Sequence, residues 1–325
     1  MLWYLLRRIT SAFTVVVVTL LASFVLFFIA PTDPAAVICG ERCPTQRYED
    51  IRRSLNLDEP VLNQFGTYLT GIVAGRTYTS SGTSVECSAP CLGYSFTLGQ
   101  PVTKLLAQAV PVTLSIVVGG AAVYLVTGVL LGTVAARRRG TFGDRAVVGA
   151  SLTFGSVPYF VVALLVALYA TFLPTSEYHS LLENPFAWAS GLMAAWLTLG
   201  LTNAASYTRY TRASMIESLG EDYVRTARAK GISERRVVYG HGLRAAVTPV
   251  ATIFGLDLAF QLTGAIFTES IFGLPGLGVL SLRAYAQYDL PVLMGGVLVG
   301  AVVLVAMNLV VDLMYTVLDP RVRLA

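Results

Sequence analysis

The chain has 325 residues, 55% hydrophobic and 13% charged, with a formal net charge of +4. Its mean hydropathy of +0.66 excludes water as its main solvent and with it the soluble globular classes. Neither lysine, Lys104 or Lys230, follows a glycine as a phosphate-binding loop requires, His179 and His241 form no H-E-x-x-H pair, and no G-x-S-x-G elbow occurs. Nucleotide hydrolysis and hydrolase chemistry are therefore not expected of this chain, which does not read as an enzyme.

Charge spacing organises the chain. Uncharged windows separate Arg8 from Asp33, Lys104 from Arg137, Arg145 from Glu177, Glu183 from Arg209, and Asp289 from Asp312. Each exceeds the roughly 20 residues with which a helix crosses about 30 Å of hydrocarbon, which predicts five spans. A sixth, at about 246–270, is apolar except for Asp257 and is needed to return both ends of the chain to one side. The first window follows Arg7 and Arg8, but its apolar run exceeds the roughly 7–15 residues of a signal-peptide core and no small-x-small site follows it. Ile38, not a small residue, precedes Cys39, so a lipoprotein signal is not expected either. The expected fold is all-α, with six transmembrane helices. Residues 1–30 form a tail and first span, 31–106 an extracytoplasmic subdomain, and 107–325 a core with spans at about 107–136, 146–173, 186–206, 246–270 and 291–317.

The loop over 31–106 is turn-rich, with Pro31, Pro34, Pro60, Pro90 and Pro101, yet apolar residues at helical spacing over 48–57 and 61–72 predict two helices in it. It reads as a small ordered subdomain able to dock a partner. Basic residues concentrate at Arg7, Arg8, Arg137, Arg138, Arg139, Arg145, Arg321 and Arg323 and at eight positions from Arg209 to Arg244. The positive-inside rule then places both termini in the cytoplasm and the loop outside. All four cysteines, Cys39, Cys43, Cys87 and Cys91, lie in this loop, where disulfides persist. Two bridges are expected. The C-x3-C spacings allow Cys39–Cys43 and Cys87–Cys91, while a link between the clusters would restrain more chain entropy. The loop has no histidine, which argues against zinc.

Within the spans, Gly128-x3-Gly132 and Gly296-x3-Gly300 predict close helix approach. Pro158 and Pro249 each remove a backbone donor, so each predicts a bend or a partner group. Asp257, with Gln261 one turn on, is a candidate for the translocation path and suits a cationic group; pairing within the bundle or at a subunit contact is the rival reading. Glu269 and Asp312 lie near span ends and read as interfacial carboxylates.

The segment 207–246 is the longest cytoplasmic stretch. Ile216, Leu219, Tyr223 and Ala227 form one apolar stripe on a charged helix. Arg228 and Lys230 complement its negative end, Gly231 supplies a left-handed turn, and Ser233 is placed to cap a second helix from Glu234.

These residues resemble a known family. Glu221-Asp222-Tyr223-Val224-Arg225-Thr226-Ala227-Arg228-Ala229-Lys230-Gly231, with Pro249 eighteen residues later, looks like the cytoplasmic signature loop of ABC importer permeases of the dipeptide/oligopeptide branch. RRRGTFGDR at Arg137–Arg145, Ser156-Val157-Pro158, ESIFGLPGLG at Glu269–Gly278 and NLVVDLMYTVLDPRVR at Asn308–Arg323 extend the likeness over most of the chain after residue 100. The long loop after the first span resembles that of the first of the two permeases in such systems. The resemblance implies an inner-membrane complex with a related second permease, two ATPase subunits carrying ATP and Mg, and an outer peptide-binding protein or lipoprotein, embedded in lipid and without nucleic acid. It also implies ATPase coupling, with Tyr223, Val224, Ala227, Ala229 and Gly231 as contact surface and Glu221, Arg225 and Arg228 setting its electrostatic register. The cysteine-bearing insert and Asp257 depart from the pattern and leave nickel, glutathione or another small solute as alternative cargo. A secondary transporter, which would call for a midplane ionisable group, is the other alternative.

Overall fold

The computed structural model describes residues 2–29, 33–40, 43–80 and 83–318. In chain order, α1 (Leu2–Phe24) runs on as a π-turn over Val25–Ile29, and α2 (Pro34–Cys39), α3 (Thr45–Ser54) and α4 (Val61–Ala74) follow. The strands β1 (Arg76–Ser80) and β2 (Thr83–Cys87) pair antiparallel with Tyr78 opposite Val85, and β3 (Tyr94–Ser95) pairs with β4 (Gln100–Pro101). Then come α5 (Val102–Arg137), α6 (Phe142–Ser156), α7 (Tyr159–Tyr169), α8 (Pro185–Gly220), α9 (Asp222–Ala229) and α10 (Glu234–Arg236). A second π-turn over Val237–Gly242 leads into α11 (Leu243–Phe272), α12 (Leu277–Ala286) and α13 (Leu290–Leu318). Among the described residues, three helices are long and apolar enough to cross a membrane, within Thr10–Ile29, Val102–Arg137 and Leu290–Val311, and up to five if each of two bent pairs counts as one span.

The chain divides into two compact units, one from the N-terminal end to Val112 with Pro275–Ala306, the other Thr113–Leu274 with the described residues from Met307 on. In the first unit the helices expected over 48–57 and 61–72 appear as α3 and α4. Asp33 caps α2, accepting from the Ala35 and Ala36 amides at 3.0 and 3.1 Å, and its other carboxylate oxygen accepts the Tyr48 hydroxyl of α3 at 2.7 Å. That hydroxyl hydrogen bond holds the Asp33 carboxyl below the usual range. A core of Ile38, Ile51, Tyr78, Tyr94 and Phe96 closes over Cys87 and Cys91, with Tyr94 and Phe96 edge to face at 5.2 Å. The cysteines pair within their clusters, Cys39 with Cys43 and Cys87 with Cys91, at Cα separations of 5.4 and 5.5 Å. The small core and the two bridges supply the stability that few buried side chains alone would not. The buried Asp289 carboxylate accepts the Ser95 hydroxyl and the Val292 amide, tying β3 to the first turn of α13.

In the second unit α8 is the axis: fourteen of its residues, from Gly191 to Ser218, are buried. Trp188 and Trp196 of α8 donate to the hydroxyl and carbonyl of Ser115 on α5 at 3.0 and 2.8 Å. Gly128 and Gly132 let α5 close onto α8: a Cβ on Gly132 would lie 2.6 Å from the Thr208 carbonyl oxygen, and one on Gly128 2.5 Å from the Tyr207 Cβ. The other small pair behaves differently, since a Cβ on Gly300 would meet nothing within 4 Å. The segment expected as one span at 146–173 is two helices, α6 and α7, meeting at 90° where Val157 is extended and Pro158 lacks a donor. Pro249, by contrast, sits inside the continuous α11. The core between these helices gathers Val117, Tyr124, Tyr207, Val250, Phe254 and Leu258.

Gly132→Leu should lower the thermal unfolding midpoint of the purified chain in detergent, because backbone on the facing helix cannot yield; overpacking of this kind costs about 1–3 kcal/mol. Gly300→Ala, inside α13 and facing open space within the chain, should leave that midpoint unlowered or raise it slightly.

Candidate functional site

Nothing between Tyr207 and Leu219 breaks a helix, so α8 does not stop near residue 206 but continues as one rod to Gly220. Glu221, with φ −66° and ψ 151°, is extended and turns the chain into α9. The single helix expected to carry Ile216, Leu219, Tyr223 and Ala227 is therefore two. The break rotates the stripe inward: Val224 and Ala227 are buried with Val237 of the π-turn, packed by Leu219 and Ile232. Val224 and Ala227, expected on an outward contact surface, instead anchor α9 to its own chain. Glu221, Tyr223, Arg225, Arg228, Ala229 and Gly231 remain exposed.

The end of α9 is a Schellman turn. The Gly231 amide donates to the Arg228 carbonyl at 2.9 Å and the Ile232 amide to the Ala227 carbonyl at 3.3 Å, with Gly231 at φ +74° and Ile232 on the apolar contact. Arg228 grips Glu234 across the turn through two bonds of 3.1 and 2.9 Å, which holds the Glu234 carboxyl below its ordinary value. Ser233 occupies the cap position but its side chain makes no capping hydrogen bond, and α10 is not a separate helix but the start of a rod that passes through the π-turn into α11. Ser218 closes the joint, donating to the Gly242 carbonyl at 2.9 Å and lying 3.0 Å from the Tyr223 hydroxyl.

One buried contact escaped the sequence reading. Arg212 on α8 clasps Asp144 on α6 with Nε and Nη2 at 2.6 and 2.8 Å, and Asp144 also accepts the Gly140 amide at 2.9 Å. Asp144 is 3% exposed. The guanidinium, then the Gly140 amide, hold its carboxyl down at about 2. The partners stand 68 positions apart; the sole hint was an acidic residue in the otherwise basic RRRGTFGDR.

Of the acids expected in or near spans, Asp257 accepts the Tyr207 hydroxyl at 2.9 Å, and the Tyr207 ring lies on that of Tyr124 at 4.6 Å. Asp257 and Gln261 are each partly buried. Glu269 is not the interfacial carboxylate expected: it is fully buried and accepts the Thr113 hydroxyl at 2.6 Å, because α5 covers the last turn of α11. The adjacent Thr268 is bonded to Tyr159 of α7 at 2.6 Å. The side chain of Asp312, and Arg321 and Arg323, lie outside the described residues. Among the described residues no group of three or more His, Cys, Asp or Glu side chains is placed to hold a metal ion.

The described residues are mostly helical, with several helices long and apolar enough to cross a membrane and a short helix, α9, braced on the ends of α8 and α11. Residues 128–324 match the family described as binding-protein-dependent transport system inner membrane component, and residues 1–117 match the N-terminal family of such membrane components. The chain is 35% identical over 323 residues to a putative peptide transport system permease protein of Brucella abortus (strain 2308), covering 98% of both chains. It is also 35% identical to a probable peptide ABC transporter permease protein of Sinorhizobium fredii (strain NBRC 101917 / NGR234), covering 98% of this chain and 99% of that one. With the dipeptide transport system permease protein of Escherichia coli (strain K12) it shares 33% identity over 99% of each chain. The chain belongs to the binding-protein-dependent transport system inner membrane component family.

Two outcomes follow from this geometry. Because the Asp144 carboxyl is lowered from 3.8 to about 2, its ion pair contributes stability fully above pH 3.8 and loses it as pH falls through about 2. Acid titration of unfolding should show this loss, and Asp144→Asn should remove that part of the acid dependence. Gly231→Ala forces a side chain into the left-handed region at about 1–2 kcal/mol, so amide exchange at the C-terminal end of α9 should speed up several-fold, with α8 unaffected.

Proposed function

We propose that this chain is a permease subunit of an ATP-driven ABC importer for dipeptides and oligopeptides, with ATP and Mg carried by two separate ATPase subunits. A second, related permease completes the membrane pore, and a peptide-binding protein or lipoprotein delivers cargo to the extracytoplasmic subdomain. In this reading six helices span the inner membrane, α1, α5, the broken α6–α7 pair, α8, α11 and α13, and both termini face the cytoplasm. The observation that carries it is α9, an amphipathic helix whose apolar face is used to fasten it to its own bundle while Glu221, Tyr223, Arg225, Arg228 and Ala229 stand exposed. A helix held that rigidly and presenting a charged outer face suits a groove on an ATPase, and full-length relatives named as peptide permeases supply the cargo class.

Displacement of α9 passes directly into two spans, because α8 and α11 meet at its ends through Ser218 and the π-turn. Asp257, bonded to Tyr207, sits on the second of these and offers a carboxylate to the ammonium group of a peptide; Gln261 extends that face by one turn.

Co-expression with its neighbouring genes should yield a complex that hydrolyses ATP, faster when peptide and binding protein are added. Isolation of the chain without an ATPase, under conditions that preserve membrane complexes, would favour a secondary transporter. Stimulation by nickel or glutathione but not by peptide would reassign the cargo. Arg225→Glu, on the exposed face of α9, should reduce ATPase recovery in the same pull-down without altering the fold of the chain.

A further inference from the structure

We infer that the Asp144–Arg212 ion pair is a positioning strut for energy coupling, fastening the first cytoplasmic turn to the α8 extension so that force arriving at α9 reaches α6 and the broken span beyond it. This rests on the importer reading above and adds a residue pair to it.

The geometry is that of a clamp, not of a surface pair. Asp144 is 3% exposed, and its carboxylate is held by two guanidinium nitrogens at 2.6 and 2.8 Å and the Gly140 amide at 2.9 Å. A bidentate pair resists rotation as well as separation, which a single contact does not. The same carboxylate completes the start of α6, where Thr141 is the N-cap and accepts from the Asp144 amide at 3.4 Å. Pulling Arg212 therefore pulls the end of α6 itself.

Two further contacts make α8 a lever at this level. Arg209, one turn earlier, donates to the Ser151 carbonyl of α6 at 3.3 Å. Met215, one turn later, is fully buried against Ala136, Val238 and Ala246 from α5, the π-turn and α11. A rod gripped at 209, 212 and 215 does not bend between α9 and the membrane; it moves its neighbours. Without the ion pair α6 is held only by the longer Arg209 contact and by packing, and motion of α9 is absorbed in the gap between α6 and α8.

The test uses the assembled complex in proteoliposomes and reads ATP hydrolysed per peptide imported. Arg212→Gln should raise that ratio by about fivefold, the low end of coupling free energies between sites, with normal recovery of the complex. Arg212→Lys, which keeps the charge and loses the fork, should fall between the two. A variant that loses uptake and hydrolysis in proportion, leaving the ratio unchanged, would reduce the pair to a structural contact and overturn the inference. Should Arg212→Gln fail to assemble, Arg212→Lys and Asp144→Glu keep both charges and alter only the fork; an unchanged ratio in both overturns the inference equally. If the unmodified complex shows no peptide-stimulated hydrolysis, the importer reading fails first and the strut with it.

Discussion

The close approach of α5 and α8 fixes the position of everything else in the second unit. With no side chain at Gly128 or Gly132, the α5 backbone rests against Tyr207, Thr208 and Thr211, and α8 is held along one side for just over one turn. That contact orients Tyr207 toward Asp257 on α11, sends Arg209 and Arg212 to the opposite side against α6, and carries Met215 into the cluster with Ala136, Val238 and Ala246. In hydrocarbon there is little hydrophobic drive for helices to associate, so dispersion at small-residue contacts and buried polar bonds bear the load. The hydroxyl and carboxylate pairs at Tyr207–Asp257, Thr113–Glu269 and Tyr159–Thr268 follow that rule.

The first unit solves a different problem. Its cysteine-bearing part is small, assembled from short helices and two two-stranded sheets, and it is stabilised by an aromatic core, two local disulfides and polar ties such as Asp33–Tyr48 and Ser95–Asp289. A loop built this way presents a surface of defined shape, which a tether of comparable length would not.

Features set by local chemistry were legible in the sequence. The long apolar windows, the amphipathic stretches that became α3 and α4, the break at Pro158 and the left-handed turn at Gly231 all depend on residues next to one another. Features set by distant partners were not. Asp144 and Arg212 stand far apart in the chain, and Glu269 looked interfacial because its covering residue, Thr113, lies on another helix. Ala227 is legible as part of an apolar stripe and Val224 as a contact residue implied by the resemblance, but the chain covers both itself. A pattern says that a face is apolar, not what covers it. The pairing of the cysteines was open for the same reason: loop entropy favoured a long link, while local helix and strand geometry brings each C-x3-C pair within reach.

The π-turn over Val237–Gly242 sets the angular phase of α11. Its amide-to-carbonyl bond from Leu243 to Val238 spans one residue more than a regular helical turn. Since each residue advances an α-helix by about 100°, removing that residue would turn every position beyond it by the same angle. Asp257 would swing from Tyr207 to a different neighbour while α9 and its joint stayed as they are. A single insertion or deletion at Gly240–Gly242 is thus a route by which one helical scaffold presents a different face of α11 while leaving its attachment to α9 intact.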